Sequence, residues 1–225
     1  MKRIFSLLII VLLYSCGSSE SSPEFIKQAA GSYLFNSDES IEIYFIDNDL
    51  FVKWRGRDDI KPLKVNDTTF YMKELNEKIV FVSNPIMHIT LAPKREHEGK
   101  TYHFKKLIKG EKTPGEYLRN DEFEKALEGY LVIQQKDSLD KTIRERTLNS
   151  LGYRALRAKK YQDAIAIFKI NTALYPTSSN TFDSLGDTYW RLKDTVNTVA
   201  NYKKALAINP ENRRAKRFLK KHKLN

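Results

Sequence analysis

Short runs of alternating apolar and polar residues fill the chain from about residue 31 to residue 108. Ile41, Ile43 and Phe45 alternate with other side chains, and the same period recurs at residues 52–55. A period of two is typical of strands with one buried face. Because turn-forming residues separate these runs about every ten positions, the pattern predicts about eight strands in an antiparallel meander, as a small barrel or a sandwich.

Helical periodicity replaces this alternation from about residue 121. Apolar residues then recur every three or four positions, which predicts amphipathic helices. We expect one helix within residues 121–133 and five more at 141–158, 161–174, 178–192, 195–208 and 211–221. Pro114 and Gly115 in the preceding segment, residues 109–120, indicate a linker, so no helix is expected before residue 121.

The helical part repeats with a period of 34 residues. Ser150-Leu151-Gly152 recurs as Ser184-Leu185-Gly186, and Phe168 recurs as Tyr202. This period, with glycines and aromatics at these offsets, resembles the tetratricopeptide repeat, a family of helix-turn-helix arrays. We therefore predict an α+β protein of two domains: an antiparallel β-meander, then a short α-solenoid of about two and a half helix pairs with a basic capping helix.

The first residues are typical of an export signal. Lys2 and Arg3 precede an apolar run at residues 4–13, which is too short to span a bilayer. Leu13-Tyr14-Ser15-Cys16 resembles a bacterial lipobox, and the resemblance implies cleavage before Cys16 and its lipidation. The alternative is an ordinary secretory signal with a chance cysteine.

These patterns together predict five segments. They are a signal peptide at 1–15, a lipidated cysteine with a flexible leash at 16–30, a β-domain at 31–108, a linker at 109–120, and a tetratricopeptide-like domain at 121–225.

The chain is basic, with a formal net charge of +11. In a cytosolic protein this charge would favour nucleic-acid binding, but the predicted export argues against that partner. We expect a cell-envelope protein that faces the periplasm or the cell surface, with a membrane anchor and an unidentified envelope protein as partner. The basic helix at residues 211–221 has two open interpretations, a solvated cap of the solenoid or a membrane-surface contact.

The tetratricopeptide resemblance also implies a binding groove, since the first helix of each pair lines the concave face in that family. The corresponding positions are Arg146, Asn149, Tyr153, Leu156, Arg157, Asn180, Asp183, Asp187, Trp190 and Arg191. Arginine and tryptophan are enriched at binding hot spots. The carboxylate-binding clamp of some family members is not reproduced, because Tyr153 stands where an asparagine is needed. The alternative is that the repeats only pack and bind nothing.

A second resemblance covers residues 31–222. The run Gly31-Ser32-Tyr33-Leu34-Phe35, the meander and the run at 102–106 resemble a small β-domain of Bacteroidota serine β-lactamase-like hydrolases. The runs at 164–171, 175–176 and 183–187 resemble the tetratricopeptide tail of the same proteins. The resemblance implies accessory domains without the family's catalytic domain.

The nucleophile motifs of that catalytic domain are not reproduced. Its Ser-x-x-Lys motif has one match, Ser138-Leu139-Asp140-Lys141, in a predicted loop. No Tyr-x-Asn occurs, and proline follows Lys112-Thr113 where the family has glycine. We therefore predict no catalytic residues and no enzymatic activity. A regulator of a separately encoded serine hydrolase remains an alternative.

The remaining candidate chemistry is weak. The spacing of His88, His97, His103 and His222 matches no zinc motif, so neither a metal site nor a cofactor is predicted. Many aromatic residues of the β-domain could line a cavity for a small apolar ligand, although filling of the core is favoured. The prediction is a non-catalytic protein-binding lipoprotein, with a small-ligand carrier as the alternative.

Overall fold

The computed structural model describes residues 21–136 and 143–223. Within them the chain forms two compact units. The first unit contains residues 21–31 and 42–103, and the second contains residues 32–41 and 104–223. Cys16 and the Ser138–Lys141 match lie outside the described residues. No helix of the described part is both long enough and apolar enough to cross a bilayer.

The first unit opens with a helix, α1, at Pro23–Ala29. Ser22 caps it, because its hydroxyl accepts a hydrogen bond from the amide of Phe25, and proline at the first helical position favours the start. Residues 23–29 were expected to belong to a flexible leash, and the structure differs there. Burial of Ala29 and the aromatic contacts of Phe25 stabilise the helix.

Nine strands follow α1 in the described chain, and they pair antiparallel within their sheets. They are β1 (Gly31–Leu34), β2 (Ser40–Ile46), β3 (Asp49–Trp54), β4 (Arg57–Ile60), β5 (Leu63–Lys64), β6 (Thr69–Met72), β7 (Glu77–Val82), β8 (His88–Leu91) and β9 (His103–Lys105). They form two sheets of order β1-β2-β3-β4 and β5-β6-β7-β8-β9. Of the two predicted arrangements, this division matches the two-sheet one.

The predicted alternation agrees with the burial of the strands. In β6, Phe70 and Met72 are buried, and in β7 Ile79 and Phe81 are buried while Lys78 is exposed. Phe70 pairs directly with Ile79, so the apolar faces of the two strands coincide.

Aromatic side chains pack together in the first unit. The ring of Phe25 lies 5.9 Å from Phe70, 5.2 Å from Phe81 and 6.0 Å from Phe45, measured between centroids. Edge-to-face and offset contacts at these distances stabilise a core beyond the area that they bury. These four phenylalanines therefore form part of the apolar core of the first unit.

Seven helices belong to the second unit within the described residues. They are α2 (Pro114–Arg119), α3 (Phe123–Lys136), α4 (Glu145–Arg157), α5 (Tyr161–Leu174), α6 (Ser179–Arg191), α7 (Thr195–Ile208) and α8 (Arg213–His222). The helices pack as the pairs α2/α3, α4/α5 and α6/α7, and α8 packs on α7.

The prediction that no helix precedes residue 121 is wrong. Thr113 and Glu116 form a capping box at the start of α2: the Thr113 hydroxyl accepts from the Glu116 amide, and the Glu116 carboxylate accepts from the Thr113 amide. Proline at the first helical position lacks a donor that would be unsatisfied there anyway. Pro114 therefore starts a helix here and does not prevent one.

The α2/α3 pair is a shortened first repeat. Asp121, Lys159 and Lys193 all have a left-handed backbone, with φ near 60°, at the turn between the two helices of a pair. In the same register Tyr130 of α3 corresponds to Phe168 and Tyr202, and all three rings are buried. The helical part thus contains three helix pairs, of which the first has a short first helix.

Glycine permits the close approach of the two helices in each complete pair. A methyl group on Gly152 would lie 2.6 Å from the ring of Phe168, and one on Gly186 would lie 2.9 Å from the ring of Tyr202. Both rings are almost fully buried. The absence of a side chain at each glycine therefore leaves the space that the aromatic ring of the facing helix occupies.

Candidate functional site

The first helices of the two complete pairs, α4 and α6, are joined by side-chain hydrogen bonds. The Asn180 amide donates to the Glu145 carboxylate at 2.8 Å, and the Ser184 hydroxyl donates to the Asn149 side-chain oxygen at 2.8 Å. Both hydrogen bonds join one repeat to the next. Asn149 and Asn180, which were candidates for the groove, therefore hold adjacent repeats together.

A cation from the last helix joins the same face. The Arg214 guanidinium of α8 donates to the Tyr153 hydroxyl at 2.8 Å, and it lies 3.4 Å from the Asp183 carboxylate and 3.5 Å from that of Asp187. Arg214 thereby connects α4, α6 and α8. Tyr153, Asp183 and Asp187, which were all expected on the groove, are therefore each in contact with an arginine of the same chain.

The Arg214–Asp183 ion pair is largely buried on the side of the aspartate. The Asp183 side chain is 9% exposed, and burial raises its pKa above the usual value, although the charge of Arg214 opposes the shift. One of its carboxylate oxygens is buried and has no hydrogen-bond partner in the described chain. A buried carboxylate without a cation is costly, so Arg214 stabilises the α6–α8 contact.

Trp190 and Arg191 lie at the end of α6 next to α8. Trp190 is 39% exposed, and its ring meets Phe218 at 4.8 Å and His222 at 4.9 Å between centroids. Arg191 is exposed and lies 3.5 Å from Asp187 one turn earlier. Part of Trp190 therefore packs on α8, and the rest is open to a partner.

Two arginines predicted to line the groove, both on α4, remain available. Arg146 and Arg157 are exposed, and neither guanidinium pairs with an acidic residue of the described chain. They are 11 residues apart, which is close to three helical turns, so they lie on one face of the helix. Leu156, which was also expected on the groove, is 5% exposed and belongs to the core with Phe168.

Positive charge is concentrated in this part of the chain. Residues 143–223 contain 18 lysines and arginines and 6 aspartates and glutamates, a net charge of +12, so the rest of the chain carries −1. At the 34-residue spacing, Asn180, Asp183 and Asp187 of α6 correspond to Arg214, Arg217 and Lys221 of α8. Positions that are polar or acidic in α6 are thus basic in α8.

The sequence analysis did not predict the contacts of Arg214 with Tyr153, Asp183 and Asp187. It placed Arg214 only in the basic helix at the end of the chain. The signal that could have found it is its 34-residue spacing from Asn180, which places it at a first-helix position.

His97 of the first unit is buried and contacts a carboxylate. His97 is 6% exposed, and its Nε2 lies 3.1 Å from the Glu77 carboxylate, which Lys94 also contacts. Burial opposes ionisation of Glu77, but the hydrogen bonds from Lys94 and His97 outweigh it and lower the carboxyl pKa. No group of three or more metal-ligating side chains comes together in the described ranges.

Comparisons with known proteins give little beyond the fold. No family model matches the sequence, and no curated protein matches it. Among solved structures, the first tetratricopeptide domain of Spaghetti (RPAP3), bound to the HSP90 peptide SRMEEVD, is 18% identical, covering 48% of this chain and 82% of that chain with a TM-score of 0.33. The crystal structure of MamA is 15% identical, covering 51% of this chain and 86% of that chain, also with a TM-score of 0.33.

The helix pairs, the glycine–aromatic contacts and the 34-residue period show an array of helical repeats. The protein therefore contains a helical-repeat part of a kind that serves as a protein-interaction module.

Proposed function

We propose that this protein is a membrane-anchored lipoprotein of the cell envelope whose helical repeats bind another protein without catalysing a reaction. The observation that carries the proposal is the pair of exposed arginines on α4, Arg146 and Arg157, with the half-exposed Trp190 on the neighbouring first helix. Arginine and tryptophan are the side chains most enriched at binding hot spots.

Charge indicates the chemistry of the partner. The helical part carries a net charge of +12, and the two acidic residues of α6, Asp183 and Asp187, are already paired with Arg214. Complementary charges speed association and exclude wrong partners. The partner segment is therefore acidic and has an apolar residue that can contact Trp190.

A charge-reversal experiment tests this binding. The anchored protein is captured from cells after cross-linking, as wild type and as Arg146→Glu/Arg157→Glu. We expect the variant to capture at least tenfold less of the partner than the wild type does, because its two new glutamates would repel an acidic segment. Both side chains are exposed, so the fold should be retained, which the helical circular dichroism signal checks.

The chain offers a matched control. Lys169 of α5 and Lys203 of α7 are exposed and occupy equivalent positions in the second helices of the pairs. Lys169→Glu/Lys203→Glu makes the same change in net charge away from the first helices, and it should retain the partner. Equal loss in both variants would mean that net charge alone, and not this face, determines binding.

The lipid anchor is tested at Cys16, which lies outside the described residues. Metabolic labelling with an alkynyl fatty acid should label the wild type, and Cys16→Ser should lose the label and leave the membrane fraction. Two acyl chains are enough for stable anchoring. A Cys16→Ser protein that stays on membranes and detaches only in high salt would favour the membrane-surface interpretation of the basic helix α8.

A further inference from the structure

A second candidate site lies within the helical unit, at the start of the repeat array. A cleft of about 350 Å³ is lined by residues of α2, α3 and α4 and by Asp38 from the segment before β2. Ligand pockets in proteins begin at about this size.

The cleft exists because the first helix of the first pair is short. The equivalent helices α4 and α6 have 13 residues each, and α2 has 6. At 1.5 Å per residue, α2 is shorter by about 10 Å. Part of the α4 face that a full-length neighbour would cover is therefore left open.

Burial at equivalent positions shows this directly. Thr181 and Thr188 of α6 are fully buried, and Leu185 between them is 5% exposed. The residues 34 positions earlier, on α4, line the cleft and are more exposed; they are Thr147, Leu151 and Arg154. The same helix face that is a packed repeat interface in α6 is thus accessible in α4, where an arginine replaces the buried threonine.

The charged residues that line the cleft are mostly arginines. Arg119, Arg144 and Arg154 all line the cleft, against one acidic residue, Asp38. Asp38 lies 3.7 Å from Arg119, and both side chains are more than half exposed, so this pair is weak. Arg154 forms no ion pair with any described residue.

The side chain of Tyr130 gives an independent indication. Tyr130 lines the cleft and is 5% exposed, and its hydroxyl forms no hydrogen bond within the described chain. Burial raises the pKa of this phenol, and the nearby charge of Asp38 raises it further while Arg119 opposes. The hydroxyl therefore lies near the charged groups of the cleft, where it can donate to an acceptor.

We propose that this cleft binds an oxyanion, a carboxylate or a phosphate group, through Arg119, Arg144 and Arg154, with the Tyr130 hydroxyl as a further donor. Guanidinium groups bind both kinds of anion with two parallel hydrogen bonds. The site is distinct from the exposed arginines of the proposed partner-binding face, and it does not depend on the proposed adaptor role.

Two small probes test the proposal on the mature, full chain. Sodium glutarate and inorganic phosphate are titrated separately at constant ionic strength, against sodium chloride, while amide chemical shifts are followed by NMR. We expect saturable shifts at Thr147 and Leu151 with at least one probe. Saturation with glutarate alone identifies a carboxylate ligand, with phosphate alone a phosphate ligand, and with both a general oxyanion site.

Matched variants separate this site from nonspecific charge. Arg154→Thr introduces the residue that α6 has at the equivalent position, and it should weaken binding at least tenfold, as should Arg119→Gln. Lys169→Thr, on α5 and outside the cleft lining, removes one positive charge elsewhere and should bind as the wild type does. Linear shifts with both probes, or equal affinity in the wild type and Arg154→Thr, would overturn the proposal.

Discussion

Phe168→Ala should lower the free energy of unfolding of the helical part by about 3–5 kcal/mol, the range for removal of a fully buried phenylalanine. The ring of Phe168 is 0% exposed, lies directly over Gly152, and meets Tyr153 edge-on at 5.1 Å between centroids. Since Gly152 has no side chain to move into the space, the substitution leaves a cavity between the paired helices.

Denaturant unfolding followed by the helical circular dichroism signal measures this loss. Val196→Ala in α7 is the control, since Val196 is 80% exposed. Its effect should remain within about 0.5 kcal/mol. A loss below about 1 kcal/mol for Phe168→Ala would contradict the packing described for the α4/α5 pair.

Gly152→Ala should destabilise the same pair, although alanine is the better helix former. In an open helix the exchange stabilises by about 1 kcal/mol. Here the new methyl group would lie 2.6 Å from two ring atoms of Phe168, which is too close for any carbon contact. Overpacking of a buried site costs about 1–3 kcal/mol, so we expect a net loss.

The second repeat supplies the matched comparison. In Gly186→Ala the methyl group would lie 2.9 Å and 3.0 Å from the Tyr202 ring, a milder overlap. It should therefore cost less than Gly152→Ala. The double variant Gly152→Ala/Phe168→Ala should lose less stability than the two single losses added together, because the methyl group then occupies vacated space. A Gly152→Ala protein more stable than the wild type would exclude this close approach.

Local sequence signals were sufficient for the repeats. The limits of α5 and α7 were predicted to the residue, at 161–174 and 195–208. Strong periodicity defines such helices, and proline shortly after each one stops it, because the residue before a proline disfavours the helical conformation.

Local signals failed where one residue type has two roles. Pro114 was interpreted as a helix breaker, but after Thr113, and with Glu116 three positions beyond Thr113, it is the first residue of α2. Pro23 after Ser22 starts α1 in the same way. The residue that comes before the proline, and not the proline alone, distinguishes the two roles.

The candidate site depended on contacts that no local pattern contains. Asp183 and Asp187 were expected to face a ligand, but Arg214 comes from a helix about 30 residues later and pairs with both. The cleft near Arg154 was missed for a similar reason, since it results from the shortness of α2, a helix that was not predicted. Pairing between distant helices decides which polar residues stay available.

Site-specific photo-cross-linking in cells tests the central claim most directly. A photoreactive phenylalanine analogue is placed at position 150 on α4, which is exposed between Arg146 and Arg157, and at position 196 on α7 as an exposed control. We expect one discrete cross-linked protein from position 150, lost on adding Arg146→Glu/Arg157→Glu, and none from position 196. Identical products from both positions, or none from position 150, would contradict a partner-binding role for the first helices.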